Sequence, residues 1–127
     1  MKLSNERILN DSAKLSQIAQ KELPVRVSYA IAKNIIKFQA ELKTYNTERE
    51  KLIEKYSIKD ENGHTVADEN NQIKFQPDLV LDWNKDIKEL LSIENQIDIH
   101  QFSIDALNGY NMTASDLMLI EYMITEA

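Results

Sequence analysis

The stretch PVRVSYAIAKNIIKFQAELKTYNTEREKLIEKY, residues 24–56, decides how this chain folds. Its 33 residues contain no glycine, and no proline after the first. Ser28, Ile31, Ile35, Phe38, Leu42, Tyr45, Arg49, Leu52 and Tyr56 follow one another at alternating spacings of three and four. That rhythm lays one mostly apolar stripe along a helix. At 1.5 Å per residue the helix is about 50 Å long. A compact domain of 127 residues is narrower than this, so one end should project with its own partner elements beside it.

Working outward, Pro24 suits a helix start, where its missing N–H has no partner to lose. Before it, Ser4 or Asn5 can cap a helix carrying Ile8, Ser12, Leu15, Ile18 and Ala19 on one side. After Tyr56 the period changes. Two small turns, DENG at 60–63 and DENN at 68–71, bracket short apolar pieces, and a small β-hairpin tip over about 58–76 fits them. Beyond the two DEN turns no internal repeat is evident. From Pro77 to about Asn95, Leu79, Trp83, Ile87, Leu90 and Leu91 mark a second amphipathic helix that should return antiparallel along the first. Ile97, Ile99, Phe102 and Ile104 then alternate with a slip near Gln101, as in a bulged strand, with Lys2-Leu3-Ser4 as its expected partner. Thr113 opens T-x-x-D, a capping-box variant, ahead of Leu117, Ile120 and Ile124 on a terminal helix. The expected fold is therefore α+β and mainly α. It is a single helical domain over 1–127, a long antiparallel helical hairpin of coiled-coil character with a small β-hairpin tip and a short two-strand element near the chain ends.

Composition narrows the chemistry. The chain has no cysteine, which removes disulfides, thiolate nucleophiles and sulfur-ligated metals. The first residues, MKLSNERILNDS, lack the apolar core of a signal peptide, and no apolar run approaches the roughly 18 residues of a membrane span. The expectation is a soluble cytoplasmic protein without a membrane partner. Net charge is −6, yet residues 1–56 carry 11 Lys/Arg against 7 Asp/Glu while residues 57–127 carry 4 against 14. Such asymmetry marks either a dipolar binding surface or a basic half folding against an acidic one.

No catalytic constellation emerges. His64 and His100 have neither H-E-x-x-H nor any other spacing that sets two donors on one metal. Asp60, Asn62 and His64 alternate like the opening of a calcium loop, but Thr65 and Asn71 stand where that loop needs its glycine and its glutamate. Turn chemistry explains the same residues. No enzymatic activity, cofactor or metal is expected. Arg26, Lys33 and Lys37 share a helix face, but nucleic-acid binding needs a denser basic field than this acidic chain offers.

What remains are candidate protein contacts. Asp78, Asp82, Asp86 and Glu89 form a carboxylate row flanking the apolar face of the second helix. Of these, Asp86 sits closest to the apolar stripe and is assigned to folding; Asp78, Asp82 and Glu89 are candidates to meet a basic partner. Arg49 interrupts the apolar ladder, and with Tyr45 and Tyr56 it would be displayed near the tip, where tyrosine and arginine serve as interface anchors.

Four stretches, KELPVRVSYAIAKNI at 21–35, EKYSIKDENG at 54–63, IDIHQFSIDAL at 97–107 and MTASDLMLIEYMI at 112–124, together resemble a family of small proteins from phages and prophages of Gram-positive bacteria. The shared features are architectural, so the resemblance implies a phage context in a bacterial host cytoplasm and transfers no site residue. The expectation is a protein-binding accessory factor, monomeric or homodimeric, that occludes or redirects a host or phage protein such as a defence component. The alternative is a virion-assembly or structural protein that acts through self-association.

Overall fold

The computed structural model describes residues 1–126. In chain order the elements are β1 (Lys2–Ser4), α1 (Asn5–Ile18), α2 (Val25–Tyr56), α3 (Val80–Ser92), β2 (Glu94–Gln96), β3 (Phe102–Ser103), α4 (Ala114–Ile120) and β4 (Ile124–Thr125), with 3₁₀ turns at 77–79, 104–107 and 121–123. The fold is α+β and mainly α, with two small two-stranded sheets. Among the described residues no helix is long and apolar enough to cross a membrane. The chain forms two compact units, residues 1–42 with those from Glu94 onward, and Lys43–Ile93.

In the first unit Ser4 caps α1, its Oγ accepting from the Arg7 N–H at 3.2 Å. Ile8, Ser12, Leu15 and Ile18 are buried as the period requires, but Ala19 is exposed because the helix ends at Ile18. α2 begins after Pro24, whose carbonyl accepts from Ser28 N–H. Val27, Ala30, Ile31 and Phe38 are fully buried against Leu3, Ile8, Leu15, Phe102, Ile120 and Met123.

The strand pairing differs from expectation. β1 runs antiparallel to β2, with Leu3 opposite Asn95, while β3 pairs in parallel with β4. Residues 97–101 lie in neither sheet. The physical reason is Asn34, a fully buried amide on α2. It donates from Nδ2 to the His100 carbonyl at 2.9 Å and accepts on Oδ1 from the His100 N–H at 2.7 Å. One side chain thus satisfies both backbone groups that a neighbouring strand would otherwise take. Lys37 Nζ adds a bond to the Asp98 carbonyl. The partner of β1 is instead polar, held by Asn95 Nδ2 donating to Asn5 Oδ1 at 2.8 Å.

Thr113 caps α4, accepting from the Asp116 N–H at 3.2 Å. The reciprocal half of the box is absent, since the Asp116 carboxylate turns to Lys21 Nζ at 2.8 Å.

In the second unit Tyr45, Ile53 and Tyr56 on α2 are buried, as is Leu90 on α3. Trp83 is half-buried rather than enclosed. It stacks on Phe75 of the tip, with ring centroids 4.3 Å apart. That tip contains a repeat hidden from composition. Asp60 Oδ1 accepts from the N–H groups of Asn62 and His64, and Asp68 Oδ1 accepts from those of Asn70 and Gln72, each at 2.9 Å. The fourth residue of each turn is left-handed, Gly63 at φ +77° and Asn71 at φ +61°. Ile58 N–H donates to the Lys74 carbonyl, Lys74 N–H to that of Val66, and Val66 N–H to that of Ile58, which closes a ring. Antiparallel bridges join Lys59 to Thr65, Ala67 to Ile73 and Phe75 to Ser57, so 57, 65 and 73 form one series and 59, 67 and 75 the other. The tip is thus three bridges in approximate threefold array rather than one ladder.

Two outcomes follow. Asn34→Ala strands both His100 backbone groups and should lower unfolding free energy by about 2–4 kcal/mol, measured as a shift in urea midpoint at unchanged slope. At Gly63 an added Cβ meets nothing within 4 Å, so only backbone conformation is at stake. Gly63→Asn, which copies Asn71, should be nearly neutral, whereas Gly63→Val should cost roughly 1–2 kcal/mol in the same assay.

Candidate protein-binding site

The carboxylates of α3 divide by environment. Asp78, Asp82 and Glu89 are exposed, while Asp86 is half-buried and accepts from Tyr56 Oη at 2.5 Å. That bond, reinforced by desolvation, raises the Tyr56 hydroxyl above the ordinary tyrosine value. Asp86 therefore serves packing within its unit. The exposed row is diluted by Lys85, three residues from Asp82 and four from Glu89, which is exposed on the same side.

The tyrosines are placed otherwise than expected. Tyr45 and Tyr56 retain only 6% and 5% exposure, so neither is displayed to a partner. They fill the stripe that Arg49 interrupts, and of the three only Arg49 is exposed. His64 is an exposed turn residue, its Nδ1 3.9 Å from Asp60 Oδ2. Among the described residues no three His, Asp or Glu side chains converge as a metal-ligand set.

A different surface stands out, on the first unit. Val25, Tyr29 and Ile36 of α2 are 84%, 54% and 64% exposed, with exposed Ala32 between them. At 3.6 residues per turn these four fall within about 60° of helix surface, on the side opposite Val27, Asn34 and Phe38. The line of apolar residues contributes nothing to the core beneath it. At its N-terminal end a shallow hollow of about 410 Å³ is lined by Val25, Arg26, Tyr29, His100, Phe102 and Ser103. His100 meets the Tyr29 ring edge-on at 5.3 Å. Lys33 Nζ lies 5.5 Å from the same ring, a cation–π contact.

Arg26, Lys33 and Lys37 run along one flank of this apolar line, and no Asp or Glu occurs between Val25 and Ala40. The basic face is legible in the sequence; the apolar line beside it is less so. Its signal was present, since 25, 29, 32 and 36 repeat at helical spacing, but the longer ladder on the opposite side dominates the pattern.

A second concavity, about 510 Å³ between α1 and α4, holds Arg7, Asp11, Lys14, Lys21 and Asp116. Most of its charge is spent internally. Lys21 pairs with Asp116, which raises the lysine above its ordinary value through a hydrogen bond and charge. Asp11 accepts from Arg7 Nε at 3.4 Å and from Tyr122 Oη at 3.2 Å. Burial first, then the Asp11 charge, pushes the Tyr122 hydroxyl well above the tyrosine range, so it stays a donor. This groove is a structural joint.

No protein-family model, curated protein or solved structure matches this chain. The apolar line on α2 with its basic flank and the carboxylate row on α3 are the two surfaces taken forward as candidates for recognition.

The two roles of the α3 carboxylates are separable by calorimetry. Asp78→Asn, Asp82→Asn and Glu89→Gln together should leave the melting temperature within about 2 °C, because exposed charges contribute little to stability. Tyr56→Phe, which removes the donor to Asp86, should lower it measurably.

Proposed function

We propose that this chain is a non-enzymatic, phage-encoded accessory protein that binds a host or phage protein in the bacterial cytoplasm and occludes or redirects it. A component of host defence is the kind of target that suits such a role. The observation that carries this reading is the line of Val25, Tyr29 and Ile36, three large apolar side chains held in solvent on one rigid helix face. Single exposed apolar residues are ordinary, whereas an aligned set with an adjoining hollow is the form of a docking surface. Tyrosine next to a cation also has the composition of an interface anchor. The resemblance to phage and prophage proteins supplies the biological setting, and the exposed Asp78, Asp82 and Glu89 offer a second, electrostatic contact.

The competing reading is virion assembly or scaffolding through self-association, and the same apolar line would supply its interface. Sedimentation velocity across a wide concentration range, combined with affinity capture from host lysate, separates the two. The binding reading expects a monomer or dimer, and a captured protein that is lost when Val25→Ser and Ile36→Ser are introduced together. A larger defined oligomer that dissolves in the same double variant would favour assembly. An identical captured set from parent and double variant would remove this face from consideration.

A further inference from the structure

We infer that the exposed face of α2 receives a partner helix whose apolar stripe is bordered by carboxylates. The inference rests on the protein-binding reading above and adds the chemistry of the bound segment. Val25, Tyr29, Ala32 and Ile36 recur at i, i+4, i+7 and i+11, the spacing at which one helix meets another along a seam. The hollow between Tyr29, His100 and Phe102 lies at one end of that seam. Its volume sits at the low end for a ligand site and it is shallow, which suits one apolar anchor side chain from a docked helix. It is less suited to an enclosed small molecule.

Charge fixes the rest. Arg26 and Lys33 are exposed beside the seam, Lys37 adds its charge while bonded to the Asp98 carbonyl, and no carboxylate lies on α2 before Glu41. The N-terminal end of a helix also carries positive potential. A partner edge of Asp or Glu is attracted all along this flank, and an edge of Lys or Arg is repelled. The same charges argue against a second copy. Antiparallel face-to-face pairing of two such helices about a twofold axis brings both basic rows to the same side of the interface. Parallel pairing sets two positive helix ends side by side.

The test uses the full chain, isotopically labelled, and two stapled helical peptides of about four turns. Both carry leucines at i, i+4, i+7 and i+11; one has glutamates and the other lysines along a single edge of that stripe. The glutamate peptide should shift amides of residues 25–40 and 100–103. It should bind on the order of tenfold more tightly than the lysine peptide, from two or more exposed ion pairs. Raising salt should shrink that ratio. Arg26→Gln with Lys33→Gln should sharply reduce the preference while leaving residual binding, and Val25→Ser with Ile36→Ser should abolish binding itself. All substituted residues are exposed, so circular dichroism should report unchanged helicity.

Equal affinity for the two peptides, or a preference untouched by Arg26→Gln with Lys33→Gln, would overturn the acidic partner and leave the binding reading standing. Shifts confined to other surfaces, or none with either peptide, would overturn helix docking here and remove this face from the binding reading too. A concentration-dependent dimer that Val25→Ser with Ile36→Ser dissolves would assign the face to a second copy and overturn the inference.

Discussion

Each unit is built on its own portion of one helix, and the burial of that portion is the constraint on which the unit rests. α2 gives Val27, Ala30, Ile31 and Phe38 to one unit and Tyr45, Ile53 and Tyr56 to the other. A proline inside it would remove a backbone bond and clash with the preceding turn, and a glycine would lower helix stability in either portion. The sequence respects this over every residue from Val25 to Tyr56. The two units solve the burial problem differently. The first wraps its portion of α2 with another helix and short strands; the second relies on α3 and an aromatic pair, Phe75 on Trp83.

Helical elements were legible because their signals are local and periodic. The α2 helix, the Ser4 and Thr113 caps and the apolar side of the second helix appear where spacing and capping chemistry put them, whereas Ser28 at the foot of the ladder is exposed, and the terminal helix stops at Ile120 with Leu117 in solvent and Ile124 in β4. Strand partners were not, because strands of two or three residues carry no period of their own. The pairing of Leu3 with Asn95 depends on a polar segment, ENQ, that no alternation marks. The extended stretch around His100 resembles a strand in composition, yet its backbone is satisfied by Asn34, a residue that reads as a lapse in an apolar face.

The candidate surface was legible in half. Asp78, Asp82, Glu89 and Arg49 are exposed as their charge suggests, and Asp86 turns inward as its nearness to the apolar stripe suggests. The sequence puts Tyr45 and Tyr56 on display because Arg49 interrupts the apolar ladder between them. The core continues past it, with Arg49 carried into solvent while Ile53 and Tyr56 close behind. The line of Val25, Tyr29 and Ile36 is masked in the sequence for a related reason. An amphipathic helix is ordinarily read for one apolar face, and this helix has two.

The ring of backbone bonds at Ile58, Val66 and Lys74 bears on how this protein can change over time. A polar connection of its length would usually owe its shape to a few side chains packed beneath it. Here two aspartates and the main chain itself set the conformation, and most side chains between Asp60 and Gln72 point into solvent without a structural task. Away from the two aspartates and the left-handed Gly63 and Asn71, substitutions at those exposed positions touch neither the turns nor the backbone ring, so the outer surface of the loop can acquire new contacts at little cost to the fold.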